Sequence, residues 1–183
     1  MEEIEVPVEK MQEALMENAG EGPAWFGWVA LSSALLAVIA AVAALLAGHH
    51  ANEALLEQIQ SSDRWSYYQA KGIKAAVLSS KMQLLQELGK KIPDEDREKQ
   101  SQYKDDQEEI SKEAKEKEEV SRHHMLTHSS FATAVTFFQV AIAVSAISVL
   151  VRRRRFWLVS LVFGAFGLGY FILGFMGPLS GFH

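Results

Sequence analysis

The chain has 183 residues, of which 49% are hydrophobic and 22% are charged, and its formal net charge is −5. These averages are those of an ordinary soluble domain, but the charged residues are segregated. Residues 24–48, 131–151 and 156–183 contain no Asp, Glu, Lys or Arg, which excludes a single soluble core. The absence of cysteine excludes disulfides, thiolate nucleophiles and Cys-ligated metal sites. The acidic balance argues against a nucleic-acid partner.

Residues 1–23 predict an acidic amphipathic helix ahead of the first apolar segment. Four apolar residues share one helical face: Ile4, Val8, Met11 and Leu15. The polar face carries Glu instead of the Lys and Arg of helices that lie on membranes. We therefore expect the apolar stripe to pack on protein, with a frayed tail as the alternative. The acidic start also argues against a cleavable signal peptide.

Residues 24–48 predict the first transmembrane helix, because about 20 apolar residues suffice to cross the hydrocarbon layer. Small residues recur along this segment at helical spacing, among them Ala37, Ala40, Ala44 and Gly48. Small residues let helices approach closely in lipid. We therefore expect this segment to pack in a multi-helix contact between copies of the chain.

Residues 49–130 predict a long antiparallel helical hairpin outside the membrane. Strong helix formers continue beyond Gly48 to Lys91. Pro93 then breaks the helix and Asp94 caps the return, which predicts a turn near 89–94. The apolar seam between the arms is too thin for an isolated coiled coil. The apolar surplus of the first arm therefore predicts packing against neighbouring copies.

Residues 131–151 and 156–178 predict the second and third transmembrane helices. The four residues between them are all arginine, namely Arg152, Arg153, Arg154 and Arg155. The positive-inside rule assigns such a short loop to the cytoplasm. The amino terminus is then cytoplasmic and the hairpin lies outside. The arginines serve as topology anchors or, around a pore axis, as a ring at its mouth.

Seven ionisable residues lie where the predicted hairpin joins the membrane: His49, His50, Glu53, Glu57, His123, His124 and His128. His124 and His128 are four residues apart on one helical face, a spacing that suits metal ligation. The group predicts a site for a divalent cation such as zinc, or a proton sensor near neutral pH. The alternative is that these histidines are ordinary residues of a membrane interface.

The predicted membrane segments hold few polar groups and no ionisable side chain, which argues against proton-coupled transport. Thr136 and Gln139 lie in the second segment, where such groups bond between helices or line a wet path. The third segment has a glycine stripe that includes Gly164, Gly167 and Gly174. The stripe predicts close helix contact or, around a symmetry axis, a narrow apolar pore.

Two stretches after the first apolar segment carry a family resemblance. They are Asn52-Glu-Ala-Leu-Leu and Ser62-Asp-Arg-Trp-Ser-Tyr-Tyr-Gln-Ala-Lys-Gly-Ile-Lys74. With these stretches the chain resembles a bacterial membrane family catalogued as a domain of unknown function. The resemblance implies a bacterial inner-membrane protein and supplies no activity. Trp65, Tyr68 and Gly72 share one helical face here, and we expect an inter-subunit seam along it.

The sequence thus predicts an all-α membrane protein with three transmembrane helices and a long antiparallel extramembrane helical hairpin. The leading functional prediction is a homo-oligomeric structural or interaction module whose partners are the bilayer and its own copies. An oligomeric ion channel and a histidine-based metal or pH sensor are the alternatives. The sequence has no recognisable pair of a nucleophilic side chain and a general base. We therefore expect no enzyme and no cofactor beyond a divalent cation.

Overall fold

The computed structural model of the chain describes residue 13 and residues 23–176. The predicted amino-terminal helix over 1–23 therefore lies outside the described residues, apart from Glu13 and Pro23. The described chain forms three α-helices and no strand: α1 (Trp25–Glu87), α2 (Asp94–Leu150) and α3 (Arg154–Met176). This confirms the all-helical prediction. Each helix contains a segment long and apolar enough to cross a membrane, as expected of a multi-pass membrane protein.

Helix α1 continues through Gly48 and Gly72, although a glycine inside a helix costs about 1 kcal/mol relative to alanine. It ends at Glu87, and Gly89 adopts a left-handed conformation with φ 66°. The backbone N–H of Lys90 donates to the carbonyl of Leu85 at 2.9 Å, which satisfies a terminal carbonyl of the helix.

Helix α2 begins directly after Pro93 with three acidic residues in its first turn, where negative charge complements the helix dipole. The connection from α2 to α3 is short and contains Arg152 at φ 55°. Helix α3 begins at Arg154. Arg154 and Arg155 therefore belong to its first turn instead of to the predicted loop over 152–155.

The chain divides into two compact units. The first comprises the residues up to Ala51 and from Met125 onward, and the second comprises Asn52–His124. The first unit contains the three candidate membrane spans. In one part of its interior, alanines pack around an aromatic ring: Ala40, Ala43 and Ala134 form a buried cluster with Phe138. In another part, Trp25, Phe26, Val29 and Val149 form a second buried cluster.

The second unit is held by a seam of small residues that repeats every seven positions. The Ser61 hydroxyl donates to the carbonyl of Ala114 at 3.0 Å, and the Ser121 hydroxyl donates to the carbonyl of Ala54 at 2.7 Å. Residue numbers rise along one helical segment as they fall along the other. A seven-residue repeat is the spacing at which paired helices keep one face in contact.

Ion pairs flank this seam along the same unit. They join Glu57 to Lys117 at 3.0 Å, Arg64 to Glu113 at 3.2 Å, Lys71 to Asp106 at 2.6 Å and Lys81 to Asp96 at 2.7 Å. Small side chains in the seam bring the two backbones close, and the charged side chains span the edges. These four pairs join eight of the charged side chains that the sequence concentrates in this segment.

Candidate functional site

The glycines predicted on α3 contact the chain's own helices. A Cβ atom on Gly167 would lie 2.7 Å from the ring of Phe138, and one on Gly174 would lie 2.7 Å from the ring of Phe131. Gly164 faces a leucine side chain of α1, with a corresponding distance of 3.1 Å. All three glycines are buried. The faces that these glycines present are therefore filled within a single chain.

The predicted small residues of α1 divide between two environments. Ala40 is buried against α2, and Ala37 is half-buried. Ala44 and Gly48 are exposed, and apart from its own helix backbone no described residue has an atom within 4 Å of the position of a Cβ atom on Gly48. The exposed pair leaves part of the predicted small-residue stripe free for a further contact.

The first unit contains five serines that we call the serine cluster, and hydrogen bonds of three of them join α1 to α2 and to α3. The five are Ser32, Ser33, Ser145, Ser148 and Ser160. The hydroxyl oxygens of Ser33 and Ser145 lie 2.6 Å apart. Because the Ser145 hydroxyl donates to the carbonyl of Ile142 at 2.7 Å, Ser33 is the donor to Ser145. The indole N–H of Trp157 donates to the Ser32 hydroxyl at 3.2 Å.

Sequence reasoning missed the serine cluster. Four of its members, Ser33, Ser145, Ser148 and Ser160, are at most 1% exposed. The sequence offered one signal, which was the position of the serines. Each serine lies towards one end of its span, and that end adjoins the α2–α3 connection. The Ser148 and Ser160 hydroxyls donate to carbonyls of their own helices, whereas the bonds of Ser33 to Ser145 and of Trp157 to Ser32 join helices and have a structural role.

The polar residues predicted in the second span both face outward. Thr136 and Gln139 are exposed on the first unit. The Thr136 hydroxyl donates to the carbonyl of Ala132 at 3.0 Å, within its own helix. The carboxamide of Gln139 has no hydrogen-bond partner within the part of the chain that the structure describes.

The histidines of the first unit contact the chain itself. The Nδ1 atom of His128 lies 2.8 Å from the carbonyl oxygen of Ala47. A carbonyl oxygen only accepts, so Nδ1 carries the proton and Nε2 is left for a second contact. The ring of His50 stacks on Phe131 with ring centres 5.8 Å apart, and the ring centre of His49 lies 5.4 Å from that of His50.

The other members of the predicted metal group belong to the second unit. The ring centres of His123 and His124 lie 6.3 Å apart. Glu57 is paired with Lys117, and Glu53 is half-buried. Over residue 13 and residues 23–176, no three His, Cys, Asp or Glu side chains are arranged to hold one metal ion. A metal or pH site at these residues stays a prediction.

The four arginines between the second and third spans, Arg152, Arg153, Arg154 and Arg155, are all exposed. The guanidinium carbon of Arg154 lies 5.6 Å from the ring centre of Trp25. A cation over an indole face is attracted by the ring's quadrupole. The side chain of Arg154 is thereby associated with the start of α1.

The predicted aromatic seam on α1 lies beside the ion pairs of the second unit. The ring centres of Trp65 and Tyr68 lie 5.5 Å apart in an edge-to-face arrangement. A Cβ atom on Gly72 would lie 2.9 Å from the Nε2 atom of Gln107, so this glycine admits a side chain of α2. The close approach predicted for Gly72 thus occurs within the chain.

Charge pairing shifts the pKa values of several groups in this unit. The hydrogen bond to Asp106 raises the pKa of Lys71, whose ammonium group also lies 5.4 Å from the ring centre of Tyr67. The hydrogen bond from Arg122 lowers the pKa of Glu119, and the one from Lys99 lowers the pKa of Glu95. Each shift favours the ionised form that the folded state uses.

Large aliphatic side chains are exposed along one face of α1 in the second unit, opposite to the face that forms the seam of small residues. We call this face the outer stripe, and it comprises Leu56 (52% exposed), Ile59 (50%), Ile73 (65%), Val77 (65%) and Leu84 (57%). Leu56, Val77 and Leu84 are separated by multiples of seven residues. The outer stripe therefore repeats with the same period as the covered seam.

A family model described as "Domain of unknown function (DUF4337)" matches residues 25–177 of the chain. Neither a curated protein nor a solved structure matches it. The matched range covers all three helices, the whole of the second unit and most of the first.

Proposed function

The chain belongs to this family of unknown function, and from its own residues we propose that it is a homo-oligomeric integral membrane protein that acts as a structural or interaction module. In this proposal the three spans cross the bacterial inner membrane. Residues 49–130 form an antiparallel hairpin outside it, and the amino terminus is cytoplasmic. The short arginine-rich connection supports this orientation through the positive-inside rule.

The outer stripe is the observation that carries this proposal. Its five large aliphatic residues are at least half exposed, whereas the opposite face of the same segment is covered by ion pairs and small residues. Ile73 and Val77 lie four residues apart and form one apolar patch on the helix, and an exposed apolar patch marks an interaction site in a soluble segment. A seven-residue repeat suits a helix as the partner, and a second copy supplies a helix of the same period.

Self-association of the purified protein in detergent tests the proposal. Ile73→Glu combined with Val77→Glu would place two charges on the outer stripe. Burial of one such aliphatic side chain contributes about 1.5–3 kcal/mol, so we expect the double substitution to weaken association by about two to four orders of magnitude. Native mass spectrometry or light scattering over a concentration series measures the change.

A matched control adds the same charge at another place. Ser101→Glu combined with Gln102→Glu puts two glutamates at exposed positions of α2 in the same unit, and we expect association to be unchanged. A wild-type chain that stays monomeric at all concentrations contradicts the proposal. So does equal weakening in both double variants.

An ion channel is the second candidate function, and the outward position of Thr136 and Gln139 favours it. Copies arranged around an axis with these residues inward would line a pore with polar groups. Ion flux into liposomes that contain the purified protein tests this candidate. The flux should then fall when Gln139 is replaced by leucine.

A further inference from the structure

We propose that two copies of the chain meet through the outward surface of α2 inside the membrane, and that the carboxamides of their Gln139 residues hydrogen-bond to each other. We call this surface the α2 face, and it comprises Ala132, Thr136, Gln139 and Ala143. The inference rests on the proposed function, because it names the membrane surface through which the oligomer assembles. It assigns that surface to residues outside the predicted glycine stripe.

Gln139 is the residue that requires a partner. It lies near the middle of the uncharged stretch 131–151 and is exposed on the first unit. Its amide finds no hydrogen-bond partner in the described ranges, whereas Thr136 bonds to its own helix. An amide left unpaired in hydrocarbon is costly, because no water is present to hydrogen-bond it. Lipid tails supply neither donor nor acceptor, so the partner must be polar.

The outward surfaces of the other two spans carry no carboxamide, and although α1 also exposes Ala44 and Gly48, both spans expose large apolar side chains. On α1 they present Leu31, Leu35, Val38 and Leu45, which are 53–74% exposed. On α3 they present Leu158, Val162, Phe166 and Phe175, which are 55–64% exposed. Large apolar side chains of this kind match lipid tails. The α2 face differs in that two alanines and a threonine accompany a glutamine, which suits helix-to-helix contact in a membrane.

A second copy is the partner that fits this surface. A carboxamide both donates and accepts, so two glutamines can satisfy each other in a reciprocal pair. Copies inserted in the same orientation are related by a twofold axis along the membrane normal, which brings each residue opposite its own counterpart. Ala132 and Ala143 lie on either side of Gln139 along the helix. Their small side chains let the two helices approach to the distance that the amide pair needs.

The experiment uses disulfide cross-linking of the full chain in native membranes, and the absence of natural cysteine makes each introduced thiol unique. Thr136→Cys and Ala143→Cys place a thiol on the α2 face with Gln139 intact. Leu35→Cys and Val162→Cys are the matched controls on α1 and α3. After mild oxidation we expect a covalent dimer from the two α2 positions and at least tenfold less dimer from the two controls.

A second variant tests the role of the amide itself. Gln139→Leu in the Ala143→Cys background should lower the initial rate of dimer formation about tenfold, and Gln139→Asn should restore part of it. Val140→Leu, at the neighbouring exposed position, should leave the rate unchanged. An unaltered rate in Gln139→Leu overturns the pairing.

The outcomes separate this inference from the proposed function. An oligomer seen by mass, combined with cross-links as strong at Leu35 or Val162 as at Ala143, overturns the α2 face and leaves the oligomer standing. A wild-type monomer by mass overturns both.

Discussion

The hydroxyl oxygens of Ser33 and Ser145 lie 2.6 Å apart, although 112 positions separate the two residues along the chain. The contact joins α1 to α2 inside a unit whose neighbouring side chains are mostly apolar. Ser33 donates and Ser145 accepts, while Ser145 donates in turn to the carbonyl of Ile142. Both side chains are buried, so neither has an alternative partner in lipid.

Replacement of Ser145 by alanine should destabilise the folded protein by roughly 1 kcal/mol, because Ser33 loses its acceptor in an apolar interior. Thermal unfolding of the purified protein in detergent measures the effect. Ser130→Ala is the matched control, since Ser130 is half-buried and its hydroxyl donates to the carbonyl of Leu126 in its own helix. Equal shifts in the two variants would show that the interhelical bond contributes nothing.

Two glycines of α3 should respond to alanine in opposite directions. Gly167→Ala places a methyl group 2.7 Å from the ring of Phe138, and such overpacking costs about 1–3 kcal/mol. Among the residues that the structure describes, none outside the backbone of α3 lies within 4 Å of the Cβ position of Gly169, so Gly169→Ala should stabilise the helix by up to about 1 kcal/mol. The unfolding temperatures of both variants check the prediction. A stabilised Gly167→Ala protein would contradict the observed packing.

The ion pair between Lys71 and Asp106 should make stability depend on pH at alkaline values. The folded state raises the pKa of Lys71, chiefly through the hydrogen bond to Asp106, above its ordinary value of 10.5. The stabilisation is therefore fully present below pH 10.5 and is lost as pH rises through the raised pKa.

Unfolding temperatures measured from about pH 9 to about pH 12 should fall less steeply in Lys71→Met than in the wild type. The difference between the two proteins reports on Lys71 alone. The pKa of Lys99 is also raised by its hydrogen bond to Glu95, but this effect is present in both proteins. Identical slopes would show that the pair does not persist in solution.

The helices could be predicted from local sequence because their signals are local. A run of strong helix formers across Gly48 and Gly72 predicts continuity, and Pro93 followed by acidic residues predicts a new start. Both features depend on backbone preferences within a few residues. The structure has the corresponding helices over Trp25–Glu87 and Asp94–Leu150.

The contacts of the candidate site were harder to predict, because they depend on which helix faces which. The sequence marks the small residues of α3 without saying that the rings of Phe131 and Phe138 fill the spaces they leave. It marks Gln139 as polar without saying whether the side chain points into the unit or out of it. The periodicity of a single sequence identifies one face of a helix, but it does not identify which other helix packs against that face.

The seam of the second unit also differs from what large apolar residues indicate. Large apolar residues such as Leu56 and Ile59 are the usual seam positions of paired helices. These two residues are exposed, however, and the buried positions include Ala54 and Ser61. Small residues form the seam because the Ser61 hydroxyl reaches a backbone carbonyl of the opposite segment, which requires close backbones. Burial here follows the closeness of the helices more than hydrophobicity.

The seven-residue register of this seam restricts how the lengths of the two helical segments can change in evolution. Removing or adding seven residues in each segment would preserve every pairing on either side of the change, including those of Ser61 with Ala114 and Ser121 with Ala54. The outer stripe has the same period, so it would keep its orientation too. Related chains can therefore differ in arm length by whole repeats while retaining one recognition surface.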